Sequence, residues 1–557
     1  MTATRRPIIL RQFPCDNGAN RVTDFVLPQL AAQAAPEFVD AASAKAWLEH
    51  VPLANVPAAQ HQMLLQLAEY NRYATSASAR LETLEVLRDA VHFVQIEQAK
   101  RFTHRALPIA PAEAQVFQDT IDLWGEMRAG YLRCLEAAER NDAGMRERAG
   151  LLCQRALAYT GLEMFHYHRA YRQIPGNEWR VLHRIYSAAE RLGAAEQPAK
   201  DYLNRDVHDT SPRIAYMRAL LIGIANPNEL SQRQLTFVAF LLERWADKAK
   251  ISRTPVAEEG VPPLVVDLAS DARPERSGTP AAEPRYIDAQ PLGKSLRNRI
   301  GLLRRGESPA KLALGEDCVQ PSCEQLLVLL YRQWLQPPVV RVHDRKRSDA
   351  TAHACQDMAA IYYYVSGHRF RQPGGKSVLT KKETDQLATF GRVSAREEET
   401  VAPGQDFVLE QWHVEDESAL GIKIMRRAGN PGTRYMHAQL IGLRPQGVSQ
   451  FLLGHVRWLL QAENDDLYLG IRALPGLPAA IGVRPSAIGG TKDKFVPALS
   501  LTAVPEYQAP PTLILPSGWY RPNRLIDVFI ESTTQVRLLE FLDRGSDFER
   551  LTYETVR

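Results

Sequence analysis

DFVLEQWHVEDESALGIKIM, residues 406–425, is two alternating runs with a break between them. Apolar and polar residues trade places from Phe407 to Val414 and again from Ile422 to Met425, the period of half-buried strands. The break is Asp416-Glu-Ser418-Ala-Leu-Gly421, a carboxylate, a hydroxyl and a glycine in the pattern D-x-S-x-x-G. A tight turn uses these residues because Asp and Ser side chains bond to nearby backbone and glycine tolerates unusual dihedrals. A ligand-binding rim uses them because they leave polar groups and open backbone at the end of a sheet. The residues around the break decide between the two readings.

Beyond residue 337 short apolar runs recur between turn signals: AAIYYYVSG, DFVLEQWHV, GIKIM, YMHAQLIGL, QFLLGHVRWLL and LYLGIRAL. This spacing predicts a small antiparallel barrel or sandwich over 338–480. LSLTAV, TLILP, IDVFI and QVRLLEFL predict a second, smaller β module over 481–557.

Before residue 250 the period is helical. Phe117, Ile121, Trp124, Tyr131 and Leu135 share one face, as do Leu84, Leu87, Val91 and Val94. Pro111 marks a helix start, and Pro175-Gly176-Asn177 separates two helices. Seven or eight helices are expected between residues 42 and 250. Trp179, Leu182, Tyr186, Ala189 and Gly193 resemble the first helix of a tetratricopeptide repeat, but no 34-residue period extends it. A helical bundle or degenerate helical repeat over 1–250 is the expectation, with plain core packing accounting for the same stripe and partner docking as the usual use of such a surface. Residues 251–337 read as linker, rich in Pro, Ala, Glu and Ser at first, with PLVVDLA at 263–269 as one strand laid on a neighbour and helical pieces near 291–304 and 323–336. The fold class is therefore α+β multidomain.

The 557 residues carry a net charge of +4, too little to argue for nucleic acid by itself. No run approaches 18 uninterrupted apolar residues, and the N-terminus lacks the apolar core of a secretory signal. Six cysteines in so long a chain do not make a disulfide framework, and Cys318 and Cys323 do not have CxxC spacing; reduced thiols and a cytoplasmic location are the expectation. HExxH and GxSxG are absent. Gly374-Gly375-Lys376-Ser377 ends like a phosphate-binding loop, but Phe370 stands where its first glycine belongs. His166 and His168 are two apart on a helix and do not face each other, so they make no metal pair. No nucleophile-and-base set emerges, so an enzyme is not expected, nor a metal or cofactor.

The second component is arginine. Arg341-Val-His-Asp-Arg345-Lys-Arg347 precedes the barrel and contains R-x-x-x-R. Guanidinium groups bind phosphate and the O6/N7 edge of guanine in bidentate fashion and stack on flat rings. R-x-x-x-R followed by D-x-S-x-x-G resembles the PilZ domain, the bacterial receptor module for cyclic di-GMP. The likeness spans roughly residues 338–480, and GHVRWLL and DDLYLGIRAL are similar to its later strands. It implies a six-stranded barrel in which Arg341 and Arg345, with Arg347 sharing the role, hold phosphates and guanine, while Asp416, Ser418 and Gly421 form the opposing wall.

Arg345 and Asp416 are 71 positions apart, longer than the family's usual spacing, and the excess around 371–405 reads as a helix-bearing insertion. A second R-x-x-x-R, Arg392-Val-Ser-Ala-Arg396, lies 20 positions before Asp416 and is the alternative clamp. Position favours Arg341 and Arg345, because two strands must fit between the arginines and Asp416. The resemblance implies a non-enzymatic cyclic di-GMP receptor coupled to a protein partner through the helical region, controlling motility, pili or biofilm. Ligand would order the arginine-bearing approach and shift the helical half or change its surface. The other reading is a helical scaffold whose barrel binds no nucleotide.

Overall fold

The computed structural model describes residues 25–556 except 256–261, 280, 316–317, 320–321, 338–345, 374–406 and 487–492. Nine α-helices occupy residues 41–245 among the described residues, two of them only eight and five residues long, which is why the sequence periods suggest fewer. Helix Pro111–Glu139 starts at its proline, and Glu113 closes the first turn by accepting the Ala110 N–H at 2.7 Å. Its predicted stripe, Phe117 to Leu135, is buried, as is Leu84 to Val94 on helix Ala77–Ala99.

Where linker with a single strand is expected, Lys250–Ser252, Leu264–Asp267, Glu275–Arg276 and Pro284–Asp288 form a four-stranded sheet, the second of them being the expected strand. Its few apolar side chains, Leu264, Val266, Leu268 and Ile287, suffice because they join the core of the helices and need build none of their own. Helices Gln290–Arg304 and Ser322–Leu335 then pack on each other, as expected.

The cysteine reading is corrected nearby. Cys318 and Cys323 form a disulfide, because the turn into helix Ser322–Leu335 brings their Cα atoms to 5.0 Å, inside bridging range. Cys134, Cys153 and Cys355 are free and buried.

The first barrel consists of β1 (Lys346–Arg347), β2 (Thr351–Gln356), β3 (Glu410–Ser418), β4 (Gly421–Arg426), β5 (Leu440–Pro445), β6 (Leu452–Gln461) and β7 (Leu467–Ala473). Pairing runs β2-β3-β4-β7-β6-β5 and returns to β2, so six strands close a ring; β1 extends the β2 side along β3. AAIYYYVSG is not the first strand. Residues Met358–Ser366 are a helix, with Asp357 accepting the Ala359 N–H at 3.0 Å at one end and Gly367 in the left-handed region at the other. The first strand is instead Lys346 to Gln356.

The second barrel consists of β8 (Pro478–Pro485), β9 (Val496–Leu501), β10 (Thr512–Pro516), β11 (Leu525–Phe529), β12 (Thr533–Arg544) and β13 (Phe548–Thr555). Its ring is β8-β9-β10-β13-β12-β11, the same order of first, second, third, sixth, fifth and fourth strands as in the first barrel.

Apolar seams join the three parts. Phe102, Leu107, Ile109 and Phe117 of the helical region share a core with Trp412, Ile424, Leu459 and Leu469, plugging one end of the first barrel. Leu107 and Tyr435 exchange backbone hydrogen bonds across this seam. At the other end Leu440, Leu453 and Leu474 share a core with Leu499, Ile514 and Phe548 of the second barrel, with Ile361 of helix Met358–Ser366 wedged among them.

Candidate functional site

The hexapeptide 416–421 is the tip of hairpin β3–β4, where Ser418 pairs with Gly421 and only Ala419 and Leu420 lie between. The Ser418 hydroxyl donates to the Gly421 carbonyl at 3.1 Å, so one of its bonds closes the turn. A Cβ at Gly421 would lie 3.2 Å from the Ile471 carbonyl, a close approach that favours glycine between β4 and β7.

A bulge aims the carboxylate. Ile424 pairs with Val414 but Lys423 pairs with Asp416, leaving Glu415 as the extra residue. Trp412 and Val414 point into the barrel, and simple alternation would send Asp416 and Ser418 inward after them. The extra residue reverses the parity and puts both on the outer face, with Glu415 and Asp416 together opposite Lys423. On the other side of β3, Arg347 pairs with Asp416.

These residues open onto a cleft of about 570 Å³ lined by Arg347, Ser348, Asp349, His413, Glu415, Asp416 and Lys423. That volume is within the range of small-molecule sites. Lys423 bonds Glu415 at 3.2 Å, and its ammonium sits 4.9 Å from the centre of the Tyr468 ring. Two cations and three carboxylates line the described cleft, so an anion there needs further positive charge. In the sequence Arg341 and Arg345 precede Arg347 by six and two positions.

Of the site residues expected from sequence, Arg347 and Asp416 come together in the cleft, and Ser418 and Gly421 lie at the hairpin tip on the same strands. Arg341, Arg345, Arg392, Arg396, the insertion and Gly374–Ser377 lie outside the described residues. Lys423, His413 and Glu415 were not expected. Lys423 was legible as outward-facing between Ile422 and Ile424; Glu415 depends on the bulge, which no local residue announces. Among the described residues no group of three or more His, Cys, Asp or Glu could hold a metal, and no helix is long and apolar enough to cross a membrane.

Two family models match the chain: one described as the N-terminal domain of the cyclic-di-GMP receptor FimW over residues 42–256, and one described as the FimW C-terminal beta-barrel domain over 481–556. The matches flank the first barrel. The chain is also 24% identical over 518 residues to the cyclic-di-GMP receptor FimW of Pseudomonas aeruginosa, covering 85% of this chain and 83% of that protein.

Proposed function

We propose that the chain is a non-enzymatic receptor for cyclic di-GMP, bound at the Asp416 rim of a PilZ-like barrel. The observation that carries this reading is the outward turn of Asp416 and Ser418 by the Glu415 bulge, with Asp416 beside Arg347 in the cleft. The similarity to a named cyclic-di-GMP receptor over most of the chain supports the same ligand.

In this reading Asp416 accepts guanine N–H groups, Ser418 bonds base or phosphate through its free lone pairs, and Gly421 leaves the backbone open. Arg341 and Arg345 supply the charge the described cleft lacks, with Arg347 beside them; Arg392 and Arg396 are the alternative clamp. The helical region, about 1–250, docks a protein partner in the cytoplasm, and the output is control of pili, motility or biofilm. The first barrel, about 338–480, is the sensor.

The excess of carboxylates in the described cleft favours one other reading, a scaffold whose barrel binds no nucleotide. Calorimetric titration with cyclic di-GMP, against GTP and cyclic di-AMP, separates the two. Selective binding lost in Asp416→Ala and Arg345→Ala is expected. Loss in Arg396→Ala instead moves the clamp to the second arginine pair, and no binding by the folded wild-type chain leaves the scaffold.

A further inference from the structure

At the plugged end of the first barrel the helical region, the adjoining sheet segment and β6 line an open cleft of about 460 Å³. Two indoles line it, Trp179 from helix Glu178–Arg191 and Trp458 from β6. Each is seated on a glycine. A Cβ at Gly223 would fall 2.5 Å from the Trp179 ring, and Trp458 crosses Gly470 so closely that no Cβ has room.

Three polar groups in the same wall have bonding capacity that the described residues leave unused. The His168 side chain is only 8% exposed and has no hydrogen-bond partner among the described residues. Burial, and next the charge of Arg273, push it down to about 3, so it stands as a neutral imidazole with one donor and one acceptor nitrogen. The Asn228 Oδ1 is buried without a partner. Arg273 bonds only the Gly223 carbonyl at 3.3 Å and Asn226 Oδ1 at 3.2 Å, so no described carboxylate balances its charge. The Asn228 oxygen is costly to keep buried without a partner, and the exposed Arg273 guanidinium is open to a ligand arriving from solvent.

We propose that this cavity binds a planar heteroaromatic anion, with a purine nucleoside monophosphate as its compact form. The indoles take the faces of the ring, His168 and Asn228 its hydrogen-bonding edge, and Arg273 the negative group. An aliphatic ligand would leave the edge groups unsatisfied, and a bare phosphate would leave the indoles uncovered. Because Trp458 belongs to the barrel, His168, Trp179 and Asn228 to the helical region and Arg273 to the sheet segment that follows it, the ligand contacts both sides of the seam.

The test uses full-length Asp416→Ala protein, in which the rim is disabled. It is titrated calorimetrically with GMP and AMP, with guanosine and ribose 5-phosphate as half-ligands. Saturable binding of at least one nucleotide is expected, with each half-ligand at least tenfold weaker and Arg273→Gln or Trp458→Leu weakening it at least tenfold. Urea unfolding reports whether these variants are folded, and protection of tryptophan from acrylamide quenching gives a readout that needs no further substitution. No saturable binding by either nucleotide, guanosine binding as well as the nucleotide, or unchanged affinity in both folded variants would overturn the proposal.

Discussion

Arg426 shows what a single side chain holds at the plugged end of the first barrel. It lies 5.0 Å from the Trp412 ring and bonds Glu410 at 2.6 Å and the Thr433 carbonyl at 2.9 Å; both members of the ion pair are only 4% exposed. Glu410 also accepts the Thr433 N–H at 2.6 Å, so its carboxylate is well bonded but depends on the guanidinium for charge. Removing one member of such a pair strands the other in a low-dielectric setting. Arg426→Ala is expected to cost about 3–5 kcal/mol in urea unfolding, against about 1.5 kcal/mol or less for Lys423→Ala, whose pair is partly exposed. Equal costs at the two positions would refute this account. At this scale the sequence was informative where chemistry is local, as with the turn that Ser418 closes on Gly421. It was silent on Arg426, because only the bulged register of β3 on β4 and the turn-back of the segment after β4 bring Glu410 and Thr433 to it.

Elements were legible where period and length agreed. The stripes on helices Ala77–Ala99 and Pro111–Glu139 run long enough to exclude a strand. AAIYYYVSG was misread because a run of seven apolar residues, three of them tyrosine, satisfies a buried strand as well as a helix, and tyrosine favours strands. The deciding signals flank it: Asp357 caps the first turn and Gly367 ends the last. β8 and β13 escaped notice because PAAIGVRP and FERLTYET lack clean alternation, and their place comes from ring closure. The cap carries a prediction. Asp357→Ala is expected to destabilise the wedge helix by about 1 kcal/mol, read by urea unfolding; Asp357→Asn, which keeps an acceptor oxygen, should recover most of it. Because Ile361 sits in the core between the barrels, both barrels should feel the loss. An effect as large for Asp357→Asn as for Asp357→Ala would rule out capping as its cause.

The whole molecule depends on a seam where neutral histidines collect. Burial pushes His166 and His168 down to about 3 and His437 down to about 4. His437 stacks on Tyr171, with ring centres 6.2 Å apart, and its Nε2 lies 3.0 Å from the Glu229 carbonyl. In the unfolded chain these groups take up protons near pH 6.5, while the folded chain resists until near pH 3–4. Their contribution to stability is therefore full above pH 6.5 and lost as pH falls toward 3. Each histidine adds up to about 1.4 kcal/mol per pH unit in that window. Urea unfolding between pH 7 and 5 should show this decline, and His437→Phe, which keeps the ring on Tyr171, should make it shallower; an unchanged slope would exclude His437 from the effect. The same seam restricts how a message can leave the molecule. Pulling Phe102, Leu107, Ile109 and Phe117 out of the barrel would cost about 1.5–3 kcal/mol for each large side chain. Their sum exceeds the roughly 5.5 kcal/mol of differential binding that drives a decisive two-state shift. With a second apolar seam at the opposite end of the first barrel, opening the molecule at either junction carries a similar cost. An event at the Asp416 rim is cheapest to broadcast as a newly drawn patch of surface, which a partner would read like a stamp pressed on a fixed block.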